Sequence, residues 1–379
     1  MGKPMRALGL MSGTSMDGID VALIETDGEC EVQRGPAASY PYSEAFRREL
    51  RAGLEDAAAL ERRDQRPGRL RLIERYLTEL SAEAVGHFLL DHAIAPESIA
   101  VIGLHGHTVL HRPEAKLTVQ LGDGPLLAEA TGTDVVYDLR AADVEAGGQG
   151  APLVPVYHRA LMAKLRRPLA VVNIGGVSNV TWIGGGSLGD HSLIAFDTGP
   201  GNALVDDFMR QRTGQPFDAE GALASRGRVD EAALSQLLAH PYFAVRPPKS
   251  LDRNAFSIEP VASLAAEDGA ATLAAFTATA ISKSRYHMPE EPKLWVVCGG
   301  GRKNKTVMSM LAERVENAVI PAEALGLDGD SIEAEAWAYL AVRCVKGLPI
   351  TFPGTTGVPK PMTGGTLARA PAAATSAGD

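Results

Sequence analysis

The stretch Gly9-Leu10-Met11-Ser12-Gly13-Thr14-Ser15-Met16-Asp17-Gly18-Ile19-Asp20 (GLMSGTSMDGID) decides the fold. It ends one apolar run, Ala7 to Met11, that reads as a strand, and opens another, Asp20 to Ile24. A tight hairpin needs only two turn residues. Here seven of the nine residues from Ser12 to Asp20 are Gly, Ser, Thr or Asp. Gly13 and Gly18 can take positive φ and let a ligand approach the backbone. Consecutive backbone N–H groups, joined by the hydroxyls of Ser12, Thr14 and Ser15, form a concavity that holds an anion. Phosphate would repel Asp17 and Asp20 unless one of them serves a divalent cation, and Mg2+ normally binds through a carboxylate, waters and the phosphates. The plain alternative is a decorated hairpin turn. The chain contains no GxxxxGK[ST] pattern, which excludes a P-loop enzyme.

The same plan recurs at residues 167–186, RPLAVVNIGGVSNVTWIGGG: apolar strand, Gly/Ser loop, second strand. Two copies suggest a duplication with a ligand held between them. Strand and helix patterns alternate through most of the chain, which points to α/β architecture. Helical periodicity over 47–92 breaks near Pro67-Gly68, and a helix is expected over 125–131. Residues 1–145 form the expected N-terminal lobe, rejoined by 335–356, with SIEAEAWAYLAVRCV as a helix packing back on it. Residues 146–334 form the second lobe, AGGQGAPLVP (146–155) being a hinge or crossover. The tail 357–379 has little to bury and is expected to be disordered.

A chain of 379 residues is long enough for two such domains. Its net charge of −9 argues against nucleic acid as main partner. Cys30, Cys298 and Cys344 show no CxxC spacing, so neither a disulfide framework nor structural zinc is indicated. Without a membrane-length apolar run or a signal-peptide pattern, the default location is cytoplasmic.

Further motifs carry chemistry. In FDTGPGN, Asp197 ends an apolar strand and suits a general base or metal ligand; a turn aspartate is the alternative. The helix expected from Asn202 offers free N–H groups to an anion. In CGGGRKN, Gly299, Gly300 and Gly301 would let a flat base or ribose lie on the main chain, unless they are only a flexible turn. His105, His107 and His111 have metal-like spacings, but no further Cys or His supports zinc, and sugar hydroxyls or phosphates suit them equally. Asp138, Arg140 and Asp143 are tools for ordering a polar ligand, or an interdomain salt-bridge set. Glu333 sits where a first helical turn favours negative charge.

Together these loops resemble the actin/Hsp70/sugar-kinase superfamily, two duplicated actin-like (ribonuclease H-like) domains with a nucleotide cleft between them. GLMSGTSMDGID, HGHTVLHRP, VQLGDG, DLRAADVEAGGQGAPLVP, VVNIGGVSNVT, FDTGPGNALVDD, PKSLDRNAF and VCGGGRKN stand in the order of the anhydro-N-acetylmuramic acid kinases, over roughly residues 5–355. The chain departs from that family at His107, where Gln is frequent, at Leu139, where Phe is usual, and at the basic pair Arg302-Lys303.

The resemblance implies an ATP- and Mg2+-dependent kinase of cell-wall recycling. It opens 1,6-anhydro-N-acetylmuramic acid with water and phosphorylates O6. By the same resemblance Asp197 is the general base and Glu333 helps orient the water. ATP falls to Gly13, Thr14, Ser15, Met16, Asp17, Gly18, Ile19, Asp20, Asn173, Gly175, Gly176, Gly299, Gly300, Gly301 and Asn304, with Asp17 near the water shell of Mg2+. The sugar falls to Thr14, His105, His107, Asp138, Arg140, Asp143, Gly199 and Asn202. The implied partners are the amino sugar and a second copy of the chain, not nucleic acid or membrane. The rivals are an ordinary sugar or sugar-acid kinase of the same fold and a nucleotide-binding scaffold protein.

Overall fold

A computed structural model describes residues 2–13, 16–185, 192–253 and 255–371. The chain divides into two compact units: residues 1–163, 331–353 and 357–379 in the first, 164–330 and 354–356 in the second.

The first unit opens with β1 (Met5–Met11), β2 (Gly18–Thr26) and β3 (Val32–Pro41) as an antiparallel meander. Helices α1 (Glu44–Ala57) and α2 (Leu70–Asp91) follow, parted by the Pro67-Gly68 break. Ser43 caps α1 by accepting from the Phe46 N–H at 3.2 Å. Next come β4 (Val101–Leu104), the hairpin β5 (His107–Arg112) and β6 (Leu117–Leu121), α3 (Gly124–Thr131), β7 (Val135–Tyr137), α4 (Ala141–Glu145) and α5 (Pro155–Leu161). Asp123 caps α3, and Gly132 ends it in the left-handed conformation.

The second unit repeats the opening: β8 (Leu169–Ile174), β9 (Val177–Ile183) and β10 (Leu193–Pro200) are antiparallel, and α6 (Ala203–Thr213) follows. Helices α7 (Glu231–Leu238) and α8 (Ala266–Lys283) precede β11 (Leu294–Cys298), α9 (Lys305–Arg314) and β12 (Ala318–Pro321). α8 is buried from Gly269 to Ala278 without a break, so only small residues and a few large ones fit. A Cβ on Gly269 would lie 2.2 Å from the Phe208 ring.

The chain then returns to the first unit as α10 (Ile332–Val345) and β13 (Thr366–Ala368). α10 lies against β1 and β4 closely enough to exclude side chains. A Cβ on Gly9 would sit 1.9 Å from the Ala334 carbonyl oxygen, and one on Gly103 2.0 Å from that of Trp337. Both glycines are dictated by this contact.

The sheet order is β13-β7-β4-β1-β2-β3 in one unit and β10-β9-β8-β11-β12 in the other. In each, the first strand pairs antiparallel with the second and parallel with the strand that follows the meander. Apart from β13 at one edge, five strands share order and direction in both units, the duplicated actin-like, ribonuclease H-like α/β topology.

Three details differ from the sequence expectation, the smallest being that the chain rejoins the first unit at residue 331 rather than 335 and that 354–356 belong to the second. The first crossing between units falls at 163/164 rather than 145/146, because α5 is buried in the first unit, where the Tyr157 hydroxyl donates to Glu335 at 2.6 Å. The tail also takes part in the fold: β13 pairs antiparallel with β7, and Arg369 pairs with Asp134 at 2.6 Å. Composition suggested disorder because it cannot register strand pairing at an edge. Residues 372–379 lie outside the described ones.

Candidate active site

In the first unit the loop after β1 is held at its first residue. The Tyr42 hydroxyl donates to Ser12 Oγ at 2.7 Å, His107 Nδ1 lies 3.0 Å from the same oxygen, and His105 Nδ1 lies 3.1 Å from the Ser12 carbonyl oxygen. Thr14 and Ser15 lie outside the described residues. The loop turns on Met16, whose φ is 57° and whose N–H donates to Gly13 O at 3.1 Å. Gly18 does not supply positive φ as expected. It begins β2, and its hydrogen is needed because a Cβ would lie 2.3 Å from Tyr40 O. Asp17 is 72% exposed and pairs with Arg47 at 3.0 Å; Asp20 accepts from the Ser39 hydroxyl, and Ile19 is buried in the core.

The DLR segment gathers around the same histidines. Arg140 Nη1 donates to Gly150 O at 2.6 Å, and its Nη2 lies 3.2 Å from His105 Nε2. The guanidinium also stands 5.4 Å from the Trp337 ring centre. Asp143, buried, accepts from Gly150 N–H at 2.6 Å and so shapes the 146–150 loop. Asp138, at φ 56°, pairs with Arg63, which also reaches Glu145 at 2.7 Å. His105, Asp138, Arg63, Gly106, Gln120 and Tyr137 line one pocket. Glu333 is half-buried in the first turn of α10.

Burial, helped by the Arg140 guanidinium, holds His105 well below the usual histidine range, and burial brings His107 and His111 down to about 4. All three are therefore neutral at physiological pH. They do not converge on a metal: among the described residues no group of three His, Cys, Asp or Glu could hold an ion.

In the second unit Asp197 stands at a bulge near the end of β10, where the register slips between Asp197 and Gly199. Its N–H donates to Lys249 O at 3.1 Å, its carbonyl accepts from the Tyr242 hydroxyl at 2.6 Å, and its carboxylate Oδ2 accepts from Leu251 N–H at 2.7 Å. Lys249 is buried over the Tyr242 ring at 4.3 Å; burial lowers its ammonium pKa, against the pull of Asp197. The backbone is thus fixed at two points and the carboxylate at one, which orients the acid. Gly199 is dictated by packing, since a Cβ would lie 2.9 Å from that of Ala280.

The glycines separate into two kinds. A Cβ on Gly299 (φ 72°) would meet Asn173 Oδ1 at 2.2 Å, and one on Gly301 would meet Ile174 Cγ2 at 2.2 Å. For Gly175, Gly176 and Gly300 the nearest atoms lie at 3.5, 3.8 and 3.6 Å, ordinary contact distances. Among the described residues no close contact requires those three to be glycine, and their bare backbone is suited to a ligand lying on it. At the entry to α6 three N–H groups are already engaged: Gly201 and Ala203 donate to Gly176 O, and Asn202 to Gly175 O. These bonds instead clamp the glycine turn, with Asn202 Nδ2 adding a bond to Ile174 O at 3.3 Å. Asn304 caps α9 by accepting from Val307 N–H at 3.0 Å. Arg302 is engaged by Glu323 and Asp330, both at 2.7 Å.

Sequence reasoning overlooked Tyr42, Arg63, Tyr242, Lys249 and Leu251. The last two lie in PKSLDRNAF, whose order was noted without assigning a role. Arg63 sits in a charged loop indistinguishable by composition from a solvated surface.

The family model for anhydro-N-acetylmuramic acid kinases matches residues 5–370. The chain is 55% identical over 368 residues to the anhydro-N-acetylmuramic acid kinase of Bradyrhizobium diazoefficiens, covering 96% of this chain and 99% of that one. It is 56% identical over 364 residues to the protein of the same name from Rhodospirillum rubrum, at 95% and 93% coverage. A solved structure, the (R)-2-hydroxyglutaryl-CoA dehydratase component A of Acidaminococcus fermentans, aligns at TM-score 0.46 and 12% identity, covering 89% of this chain and 98% of that one. The fold assignment rests on strand order instead. With a matching model over nearly its whole length, the chain belongs to the anhydro-N-acetylmuramic acid kinase family and is an enzyme, an ATP-dependent phosphotransferase of peptidoglycan recycling.

Proposed function

We propose that Asp197 takes the proton from a water attacking the anomeric carbon of 1,6-anhydro-N-acetylmuramic acid. The C1–O6 bond breaks, and O6 accepts the γ-phosphoryl group as the bond to ADP breaks. The products are N-acetylmuramic acid 6-phosphate and ADP. The observation that carries this reading is the grip on Asp197, two hydrogen bonds to its backbone and a third from Leu251 N–H to one carboxylate oxygen. A base that admits a water opposite the departing oxygen is the geometry of an inverting glycosidase. Capture of O6 by phosphorus removes the need for an acid at the leaving group.

Nucleotide binding is supported by Gly175, Gly176 and Gly300, where a side chain would meet no close contact among the described residues. Gly299, Gly301, Asn173 and Asn304 shape that backbone. Residues 13–20 hold the phosphates. Mg2+ bound with ATP supplies charge neutralisation at the γ-phosphoryl group. The donor set fits an ion held mainly by phosphates and water, because Asp17 is an exposed single carboxylate rather than part of a metal cluster. Arg140, Asp138, Thr14, Gly199 and Asn202 order the sugar, and Glu333 orients the water. The enzyme works as a homodimer in the cytoplasm, which sedimentation and cell fractionation check.

Turnover in 18O-labelled water tests the mechanism. Label at the anomeric oxygen of the product is expected; unlabelled product would leave an ordinary sugar kinase. Asp197→Asn keeps the shape but cannot take the proton, so kcat should fall by about 10²–10⁴ with ATP affinity within a few-fold. Full activity would remove Asp197 from the reaction.

A further inference from the structure

We infer that His105 is a positioning residue joining Arg140 to the first residue of the phosphate loop, and that it makes ATP turnover conditional on the sugar. The inference rests on the kinase reading above.

Both ring nitrogens of His105 are used inside the protein. A guanidinium only donates, so the 3.2 Å contact from Arg140 makes Nε2 an acceptor and leaves the ring proton on Nδ1. That Nδ1–H donates to the Ser12 carbonyl at 3.1 Å. The ring is 6% exposed and packs 4.5 Å from the Trp337 ring, which fixes its plane. No nitrogen is left to contact the sugar.

Ser12 is held a second time through its hydroxyl. Tyr42 donates to Ser12 Oγ, and His107 Nδ1 stands 3.0 Å from the same oxygen. Two histidines two residues apart therefore both close on Ser12. Among the described residues Nε2 of His107 is buried with no hydrogen-bond partner, so the polar contact of that ring is with Ser12.

A sugar hydroxyl or carboxylate that draws on Arg140 changes the bond reaching His105 Nε2. Linked hydrogen bonds polarise one another, so the change is felt at Nδ1–H and at Ser12. Coupling of this kind is reciprocal: the sugar favours a productive phosphate loop, and bound phosphates favour the sugar.

Two substitutions in the full chain cut the two links separately, with ADP and sugar phosphate both measured. In His105→Gln the amide oxygen still accepts from Arg140, but the donor to Ser12 is lost. The sugar KM should stay within about threefold, kcat should fall about tenfold, and ADP should exceed sugar phosphate. In His105→Asn the amide still donates to Ser12 and the acceptor for Arg140 is lost. Here the sugar KM should rise about tenfold while kcat changes less. Equal loss of kcat in both variants at unchanged KM and unchanged stoichiometry would mean that His105 only packs, and would overturn the inference. Equal rises in KM without excess ADP would make it a direct sugar ligand, with the same consequence. Nitrogen-15 NMR of the imidazoles reads the tautomer without any turnover: His105 protonated on Nδ1 is expected. Nε2–H on His105 overturns the inference even if the kinase reading stands. A wild-type enzyme with the expected His105 tautomer but no sugar phosphate would instead overturn the kinase reading, and the coupling with it.

Discussion

Replacing single glycines by alanine should separate those that serve the fold from those that serve the nucleotide. Chain neighbours apart, the nearest described atom to a Cβ at Gly300 is Asn202 Nδ2 at 3.6 Å, so Gly300→Ala should leave stability unchanged or raise it by about 0.4–1 kcal/mol through the unfolded chain. At Gly301 the new carbon would sit 2.2 Å from Ile174 Cγ2 and 2.6 Å from its Cβ, a collision with a branched core side chain. Overpacking of this kind costs about 1–3 kcal/mol, and each kcal/mol moves Tm by roughly 2–4 °C in a unit of this size. Gly301→Ala should therefore melt roughly 2–12 °C lower. ATP affinity should follow the opposite ranking per unit of stability lost. On the proposed nucleotide site a methyl on Gly300 would occupy the layer in which a base or ribose touches the main chain, and weakening by at least about tenfold, or about 1.4 kcal/mol, is expected. Scanning calorimetry without ligand and titration calorimetry with a non-hydrolysable ATP analogue measure the two effects. Unchanged affinity in Gly300→Ala, Gly175→Ala and Gly176→Ala alike would refute the assignment of this backbone to the nucleotide.

Glu335 is 1% exposed and accepts from Arg34, Ser331 and Tyr157. Glu335→Ala should cost the first unit about 3–5 kcal/mol by stranding those donors. Fluorescence of Trp337 in a Trp182→Phe/Trp295→Phe background reports that unit alone, and an unchanged midpoint would contradict the role. Burial also holds His158 down to about 3, beside neutral His105, His107 and His111 in the same unit. The unfolded chain binds more protons below pH 6.5, so this contribution is lost as pH falls from about 6.5 to 4; a flat Trp337 midpoint over that range would refute it. Asp206 behaves oppositely: burial raises it to about 6, so the folded state holds the extra proton between about pH 4 and 6. The stability gained by Asp206→Asn should grow from pH 4 to pH 7, by about 1 kcal/mol after allowance for its partial exposure, and a constant difference would count against the shift. Of the cysteines, Cys30 is exposed and Cys298 buried, while burial pushes the Cys344 thiol up to about 11. A thiol reagent should therefore modify Cys30 first, and faster labelling of Cys298 would contradict the packing.

Much of the frame could be read from residues alone. The β1 and β2 strands around GLMSGTSMDGID, their echo at β8 and β9, the helix break at Pro67-Gly68 and the helix α10 all follow from period and punctuation. β3 was invisible: VQRGPAASYP contains Gly35 and Pro36, and only an edge position makes them tolerable in a strand. β13 was hidden for a related reason, because its partner β7 is more than two hundred residues away in sequence. The site was legible where short motifs carry a charge or a glycine run. It was illegible where geometry alone confers the role. Leu251 acts through its backbone N–H, which any residue but proline provides, and Tyr42 through a hydroxyl buried beneath a loop. The contacts that His105 and His107 make with Ser12 join segments more than ninety residues apart, so no reading of HGH could have produced them.

The close seat of α10 on Gly9 and Gly103 bears on the order in which the protein is made. Strands β1 and β4 leave the ribosome early, yet the helix that covers them is synthesised only after the whole inserted unit, residues 164–330, has been translated. The inserted unit has its own core around Phe196, Phe208, Phe276 and Trp295 and can close while the first still shows a bare apolar sheet. A nascent chain halted at residue 330 should thus protect Trp182 and Trp295 from quenchers and keep residues 1–163 open to protease. Protection of both segments in such a chain would mean that the sheet tolerates water on the face that α10 later dries.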